Sequence, residues 1–251
     1  MRKLNEEKPW FMEWFDENYR MLYRHRNSDD AREQVQLILD TLKPGKETTI
    51  LDLGCGEGRY TAILKKKGCR VFGLDLSETL VKIGKAKEPH LDLLVGDMRA
   101  IPGCFDVILS LFTSFGYFDT DRENEAALSS VYQALNPGGY YWLDFLNAEY
   151  VKKNLVPESH VRLLSGIEVL EKRKIIKGRI IKEIHFKNNG DGTDKNYKES
   201  VCLYSRQRLE EMLQKTGFRV LHCFGDYRGS PWNPDRERTI LVGQKGDRNR
   251  G

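Results

Sequence analysis

The chain has 251 residues, of which 39% are hydrophobic and 31% charged, and its 41 Lys and Arg against 37 Asp and Glu leave a net charge of +4. Such a length suits one α/β domain carrying an insertion, and no apolar run is long enough to cross a bilayer, so a soluble protein without a membrane partner is expected. The near balance of charge does not by itself demand nucleic acid, and five scattered cysteines without a Cys-x-x-Cys pair argue for reduced thiols in the cytoplasm and against a disulfide framework or a zinc site. Met1 to Lys8 leads straight into a charged, aromatic segment, so no secretory leader is expected.

Residues 7–26 space Trp10, Phe11, Trp14, Phe15, Tyr19, Leu22 and Tyr23 at intervals of three and four, which predicts an amphipathic helix or helix pair with an aromatic face. Faces of this kind ordinarily pack on a main domain. Tyr19, Tyr23 and Arg26 nevertheless share one stripe and would offer hydroxyls and a guanidinium to a pocket. Asp29-Asp30-Ala31 opens a further helix that runs to about Leu42 and stops at Pro44-Gly45.

The centre of the sequence is Ile50-Leu51-Asp52-Leu53-Gly54-Cys55-Gly56-Glu57-Gly58, a buried strand that closes on an acid and breaks into three alternate glycines before a helix at Arg59–Lys66. Only glycine combines unusual backbone angles with room for a close ligand. Arg70 to Ser77 is the next strand, and it delivers Asp75, 21 positions beyond Gly54, where a nucleotide-binding βαβ unit places a carboxylate on a ribose. Leu91 to Asp97 repeats the design and ends in Asp97-Met98. Phe105 to Phe112 is a fourth strand, followed by Thr113-Ser114-Phe115-Gly116-Tyr117-Phe118 at its carboxyl end, where open α/β sheets bind their ligands. A helix at Arg122–Leu135, the turn Asn136-Pro137-Gly138-Gly139 and a fifth strand at Tyr140–Asn147 come next.

From Val151 to Ser205 the pattern turns β-rich, with runs at Ile167–Ile176, Arg179–Lys187 and Asn196–Tyr204 and turns at Lys177-Gly178 and Asn189-Gly190-Asp191-Gly192, as in an antiparallel insertion. It carries twelve Lys and Arg against seven Asp and Glu, mostly the mark of a solvated face. Ser205–Gly217 then reads as a helix, and Phe218–Phe224 and Thr239–Lys245 as strands that join in a hairpin. Between them, Tyr227 and Arg228 sit in a Gly- and Pro-rich loop, within reach of a substrate if the loop is more than a connection.

The acid, the apolar residue and the Gly-x-Gly-x-Gly at Asp52, Leu53, Gly54, Gly56 and Gly58 resemble motif I of the class I S-adenosylmethionine (SAM) dependent methyltransferases, and Phe105-Asp106-Val107-Ile108 resembles their motif IV. The resemblance implies a Rossmann-like α/β fold: a seven-stranded sheet with helices on both faces and an antiparallel last strand, plus the antiparallel β insertion. It divides the chain into a helical lid at 1–45, a SAM-binding core at 46–150, the insertion at 151–205 as acceptor cover or dimer interface, and the end of the core sheet at 206–251. It implies SAM as cofactor, with Asp52 facing the methionine ammonium, Gly54, Cys55 and Gly56 against the methionine part, Asp75 with Leu76 at the ribose, Asp97 with Met98 at the adenine, and Ser110 among the cofactor contacts. Phe115, Arg26, Tyr227 and Arg228 are the candidates for the acceptor.

The function expected is methyl transfer to a small-molecule N, O or C acceptor by direct displacement. An amine acceptor must shed a proton, and Tyr19, Tyr23, Tyr117 and His160 are candidate bases, among which the sequence does not choose. The motif Asn-Pro-Pro-Tyr is missing after the fourth strand, which disfavours amide or DNA adenine as acceptor. A homodimer through the insertion, an RNA-modifying methyltransferase that uses its basic residues, and a catalytically silent SAM-binding protein are the alternatives. A nicotinamide-dependent oxidoreductase fits poorly, because the third glycine comes one residue early and Asp52 would repel a pyrophosphate.

Overall fold

The computed structural model describes residues 9–23, 28–187 and 192–246. Its main sheet is built from β1 (Thr49–Leu53), β2 (Arg70–Asp75), β3 (Leu93–Val95), β4 (Phe105–Ser110), β5 (Leu135–Leu146), β10 (Phe218–Phe224) and β11 (Arg238–Lys245), in the order β10-β11-β5-β4-β1-β2-β3. The five strands from β5 to β3 are parallel, while β11 runs antiparallel to both of its neighbours. This is the seven-stranded Rossmann-like sheet that the sequence predicts.

Side chains alternate across this sheet with the period of two that a strand imposes. Ile50, Val107, Leu109, Trp142, Ile240 and Val242 pack on one face against α3 (Ser28–Leu42) and α4 (Arg59–Lys66). Leu51, Ile108, Tyr141, Leu143 and Leu241 pack on the other, against α6 (Asp121–Ala134) and α8 (Arg206–Thr216). The helix ends follow their caps: Thr120 and Glu123 form a reciprocal capping box on α6, Ser205 caps α8, and Gly217, at φ 109°, ends it in the left-handed region. Ser77 caps α5 (Glu78–Lys87).

β5 starts earlier than the sequence suggests. Leu135 already pairs with Phe105, and the Asn136-Pro137-Gly138-Gly139 turn is absorbed as an irregularity before regular pairing resumes at Tyr140. The insertion also holds one strand more than expected. After α7 (Ala148–Asn154), β6 (Glu158–Arg162), β7 (Glu168–Ile176), β8 (Arg179–Lys187) and β9 (Lys195–Cys202) form a four-stranded antiparallel sheet in sequence order. β6 is a short polar edge strand, too weakly patterned to announce itself. Part of the predicted turn at Asn189–Gly192, namely 189–191, lies outside the described residues.

The aromatic segment forms α1 (Trp10–Trp14) and α2 (Glu17–Leu22), with Asp16 capping α2 by accepting from the Asn18 and Tyr19 N–H groups. Trp14 and Leu22 are fully buried against Ile167, Val169, Ile184 and Phe186 of the second sheet. The second sheet is in turn fastened to the loop after β4. Cys202 N–H donates to the Gly116 carbonyl at 2.9 Å, and Arg179 donates to the carbonyls of Tyr117 and Phe118 at 3.1 and 2.9 Å. One wall of the space above the main sheet is therefore its own strand ends, and the opposite wall is α1 and α2 backed by the second sheet.

Candidate active site

A cavity of about 720 Å³ lies between those two walls. Its floor begins at the glycine turn. Gly54 has φ 77°, and a Cβ there would meet the Ser114 Cβ at 2.6 Å, so both the backbone and the packing require glycine. The turn is pinned by the Gly54 and Cys55 N–H groups donating to the Leu74 carbonyl at 2.7 and 3.2 Å. Beside it, the Asp75 carboxylate accepts from Gly56 N–H and Ser77 N–H, each at 2.8 Å. Burial pushes the Asp75 pKa upward, against the pull of these backbone hydrogen bonds. Farther along, burial also pushes the Asp97 carboxyl up, but hydrogen bonds and charge from Arg99 outweigh it and hold the group below its ordinary value. Gly54, Cys55, Gly56, Asp75, Leu76, Asp97 and Met98 all line the cavity.

Two of the expected cofactor contacts do not line the cavity. Asp52 is 1% exposed and accepts from Thr61 Oγ1 at 2.7 Å and Thr61 N–H at 3.1 Å, so it ties the first turn of α4 to β1 and does not line the cavity. Burial raises its pKa to about 6. Ser110 is buried as well, accepts a hydrogen bond from the Tyr141 hydroxyl at 3.0 Å, and belongs to the core.

Among the candidate bases, Tyr19, Tyr23 and Tyr117 line the cavity. They stand in one aromatic group with Phe15, whose ring stacks on Tyr117 at 5.8 Å and meets Tyr19 edge-on at 4.9 Å. His160 is set apart from them. It sits exposed on β6, beside a small hollow of the second sheet and 3.2 Å from Glu158, and does not line the cavity.

The acceptor candidates fare differently. Phe115 is 2% exposed and packs edge-on to Phe145 in the core, so it supports the loop from beneath. Tyr227 donates to Asp144 at 3.2 Å below the floor, and Arg228, with an 80% exposed side chain, faces Glu33 on the outer surface. None of these three lines the cavity. Arg26 lies outside the described residues.

The sequence left one feature of the floor unread. Phe112 and Thr113 are non-glycine residues at φ 52° and 62°, a conformation that costs about 1–3 kcal/mol apiece. Asp144, fully buried on β5, holds this turn. Its carboxylate accepts from Phe112 N–H at 2.7 Å, Gln34 Nε2 at 2.8 Å and Arg238 Nε at 2.7 Å, while its carbonyl accepts from Thr113 N–H at 3.0 Å. Burial pulls the Arg238 pKa down, but the Asp144 charge outweighs it and keeps the guanidinium ionised. Arg238 also donates to Thr113 Oγ1 at 2.9 Å. Leu111, Phe112 and Ser114 thereby become part of the cavity wall. The pairing joins residues 94 positions apart, and no local pattern announces it.

Comparison with known proteins agrees with this geometry. Residues 50–139 match a family model described as a methyltransferase domain. A dTDP-3-amino-3,4,6-trideoxy-alpha-D-glucopyranose N,N-dimethyltransferase of Streptomyces venezuelae is 32% identical over 124 residues, which cover 48% of this chain and 52% of that enzyme, about half its length. An S-adenosylmethionine-dependent methyltransferase from Clostridium acetobutylicum has the same fold, with a TM-score of 0.76 at 18% identity over 92% of this chain and 97% of that one. So does a SAM-bound amino pentose methyltransferase from Micromonospora echinaspora, with a TM-score of 0.69 at 20% identity over 91% and 96%. Residues 50–139 thus match a methyltransferase domain, and the fold over most of the chain is that of solved SAM-dependent methyltransferases. A glycine turn with left-handed φ values, two carboxylates on one wall and a cavity of this volume are together fitted to SAM.

Proposed function

We propose that this chain transfers the methyl group of SAM to an amine nitrogen of a small molecule by direct displacement. One observation carries the reading. Three phenols, Tyr19, Tyr23 and Tyr117, line the same cavity as the glycine turn and the carboxylates of Asp75 and Asp97. When bound, SAM supplies a methyl group already activated by its sulfonium. The chain has to hold donor and acceptor in line and exclude water.

The Gly54–Gly56 turn holds the methionine part by backbone contacts, Asp75 accepts from the ribose hydroxyls, and Asp97 with Met98 positions the adenine. α1 and α2 cover the cavity, with the phenols orienting the amine and accepting its proton. The relative from Streptomyces venezuelae, an N,N-dimethyltransferase of an amino sugar, supports an amine acceptor. RNA is disfavoured because basic side chains of the second sheet are engaged by its own acids, as in Lys174 with Glu183 and Arg173 and Lys182 with Glu171.

The test is to incubate the protein with methyl-labelled SAM and a panel of amino sugars, amino acids, short peptides, carboxylic acids and tRNA, and to follow the label by mass spectrometry. Label in amines supports the proposal. Label confined to carboxylic acids or to tRNA would contradict it.

A further inference from the structure

Tyr23 follows α2 and lines the cavity, and its hydroxyl belongs to a line of polar groups that leads away into the second sheet. Lys182 on β8 donates to the Tyr23 oxygen, and its ammonium lies 4.7 Å from the ring centroid. The Tyr23 hydroxyl donates to Glu199 Oε1 on β9 at 2.9 Å. That same oxygen accepts from Trp14 Nε1 at 2.6 Å. Lys182 is held from behind by Glu171, the two side chains being 12% and 6% exposed, and Glu171 is bound in turn by Arg173 and Ser159.

A simple clamp between α2 and the second sheet does not need this line. Tyr197 already donates to Asp16 at 2.8 Å and accepts from Asn18 at 2.7 Å, and Trp14 and Leu22 supply apolar packing. What the line adds is a fixed cation and a carboxylate on one phenol oxygen. The cation stabilises negative charge that develops on the oxygen, and the carboxylate can take the phenol proton.

We propose that Tyr23, Glu199 and Lys182 form a proton relay, in which Tyr23 receives the proton of the incoming ammonium while passing its own to Glu199, with Lys182 as the positioning residue. The inference rests on the amine reading above. In the first step an N–H bond of the ammonium breaks, its electron pair stays on nitrogen, and the proton joins the Tyr23 oxygen as the Tyr23 O–H proton moves to Glu199 Oε1. The freed pair then forms the N–C bond to the methyl carbon of SAM, and the S–C electrons return to sulfur. Glu199 later releases its proton to solvent.

Glu199→Gln is the decisive variant, because a carboxamide oxygen still accepts from Trp14 and Tyr23 but is no base. In the full chain with S-adenosylhomocysteine bound, the ionisation of Tyr23 is followed by NMR of ring-labelled tyrosine, assigned with Tyr23→Phe. Lys182→Met should raise the ionisation pH of Tyr23 by about one unit or more, and Glu199→Gln should lower it. On an amine substrate, Glu199→Gln should lower kcat by roughly 10²-fold or more while KM stays within about threefold, with Lys182→Arg restoring activity lost in Lys182→Met. For Glu199→Gln, an unfolding midpoint within about 2 °C of wild type shows that the clamp survives.

A Tyr23 resonance that neither variant moves, or a Glu199→Gln kcat within about threefold of wild type, would overturn the relay. The NMR arm needs no acceptor. Shifted resonances in a protein that methylates only carboxylic acids would therefore sink the amine reading and still support the coupling of the three side chains.

Discussion

The floor and the roof of the cavity are held by different kinds of contact. On the floor, Asp75 is fixed by two backbone N–H groups, one of them two residues away, and the glycine turn is fixed by a neighbouring strand. On the roof, side chain holds side chain across the length of the chain: Trp14 to Glu199, 185 positions apart, Asn18 to Tyr197, 179 apart, and Lys182 to Tyr23, 159 apart. In the function proposed above, short contiguous motifs bind the cofactor, and pairings that only the fold creates handle the acceptor. It also separates two buried ion pairs, Asp144 with Arg238 under the floor and Glu171 with Lys182 behind the roof.

Those two pairs give the largest expected difference. Arg238→Met leaves Asp144 buried without a cation and should cost about 3–5 kcal/mol in denaturant unfolding. Lys182→Met leaves Glu171 with Arg173 and Ser159 and should cost about 1–2 kcal/mol, at the low end for a lost charged hydrogen bond. Equal losses would erase the distinction between floor and roof. Asp75→Ala comes next, with a loss of roughly 2–4 kcal/mol in S-adenosylhomocysteine binding by calorimetry, for two hydrogen bonds to a charged group.

Asp52 provides a smaller effect with a definite sign. Its folded pKa, about 6, lies above the ordinary carboxyl value of 3.8, so between these pH values the folded state holds more proton than the unfolded one. Its contribution is therefore most favourable below the lower value and is lost as pH rises through the upper one. Unfolding free energies of wild type and Asp52→Asn, compared at acid and neutral pH, should move in favour of the variant by up to about 3 kcal/mol on going to neutral pH. An unchanged difference would mean that Asp52 is not the buried, costly carboxylate described here. The smallest effects belong to the surface: Arg228→Ala and His160→Ala should each change stability by less than about 0.5 kcal/mol and leave kcat unaltered.

The same contrast explains what the sequence disclosed. Strand-ending acids and alternate glycines carry their meaning within ten residues, so the parallel sheet, the turn and the places of Asp75, Asp97 and Met98 were legible. The buried place of Asp52 was not legible, because Thr61, from which it accepts, looks like any helix residue. The core place of Phe115 and the Asp144 contact of Tyr227 were not legible, because a loop at the carboxyl end of a sheet presents some side chains to the cavity and others to the core, and composition does not say which. The roof hid better still: β6 has almost no pattern, and the charged residues of β7, β8 and β9 read as a solvated face although Lys182 and Glu171 are nearly buried.

The most direct measurement is calorimetric binding of S-adenosylhomocysteine to wild type, Asp75→Ala and Tyr23→Phe. With the floor holding the cofactor and the roof serving the acceptor, wild type and Tyr23→Phe should bind within about threefold of each other, and Asp75→Ala should bind roughly 30-fold or more weakly. Undiminished binding by Asp75→Ala, or a loss in Tyr23→Phe as large as in Asp75→Ala, would contradict that division.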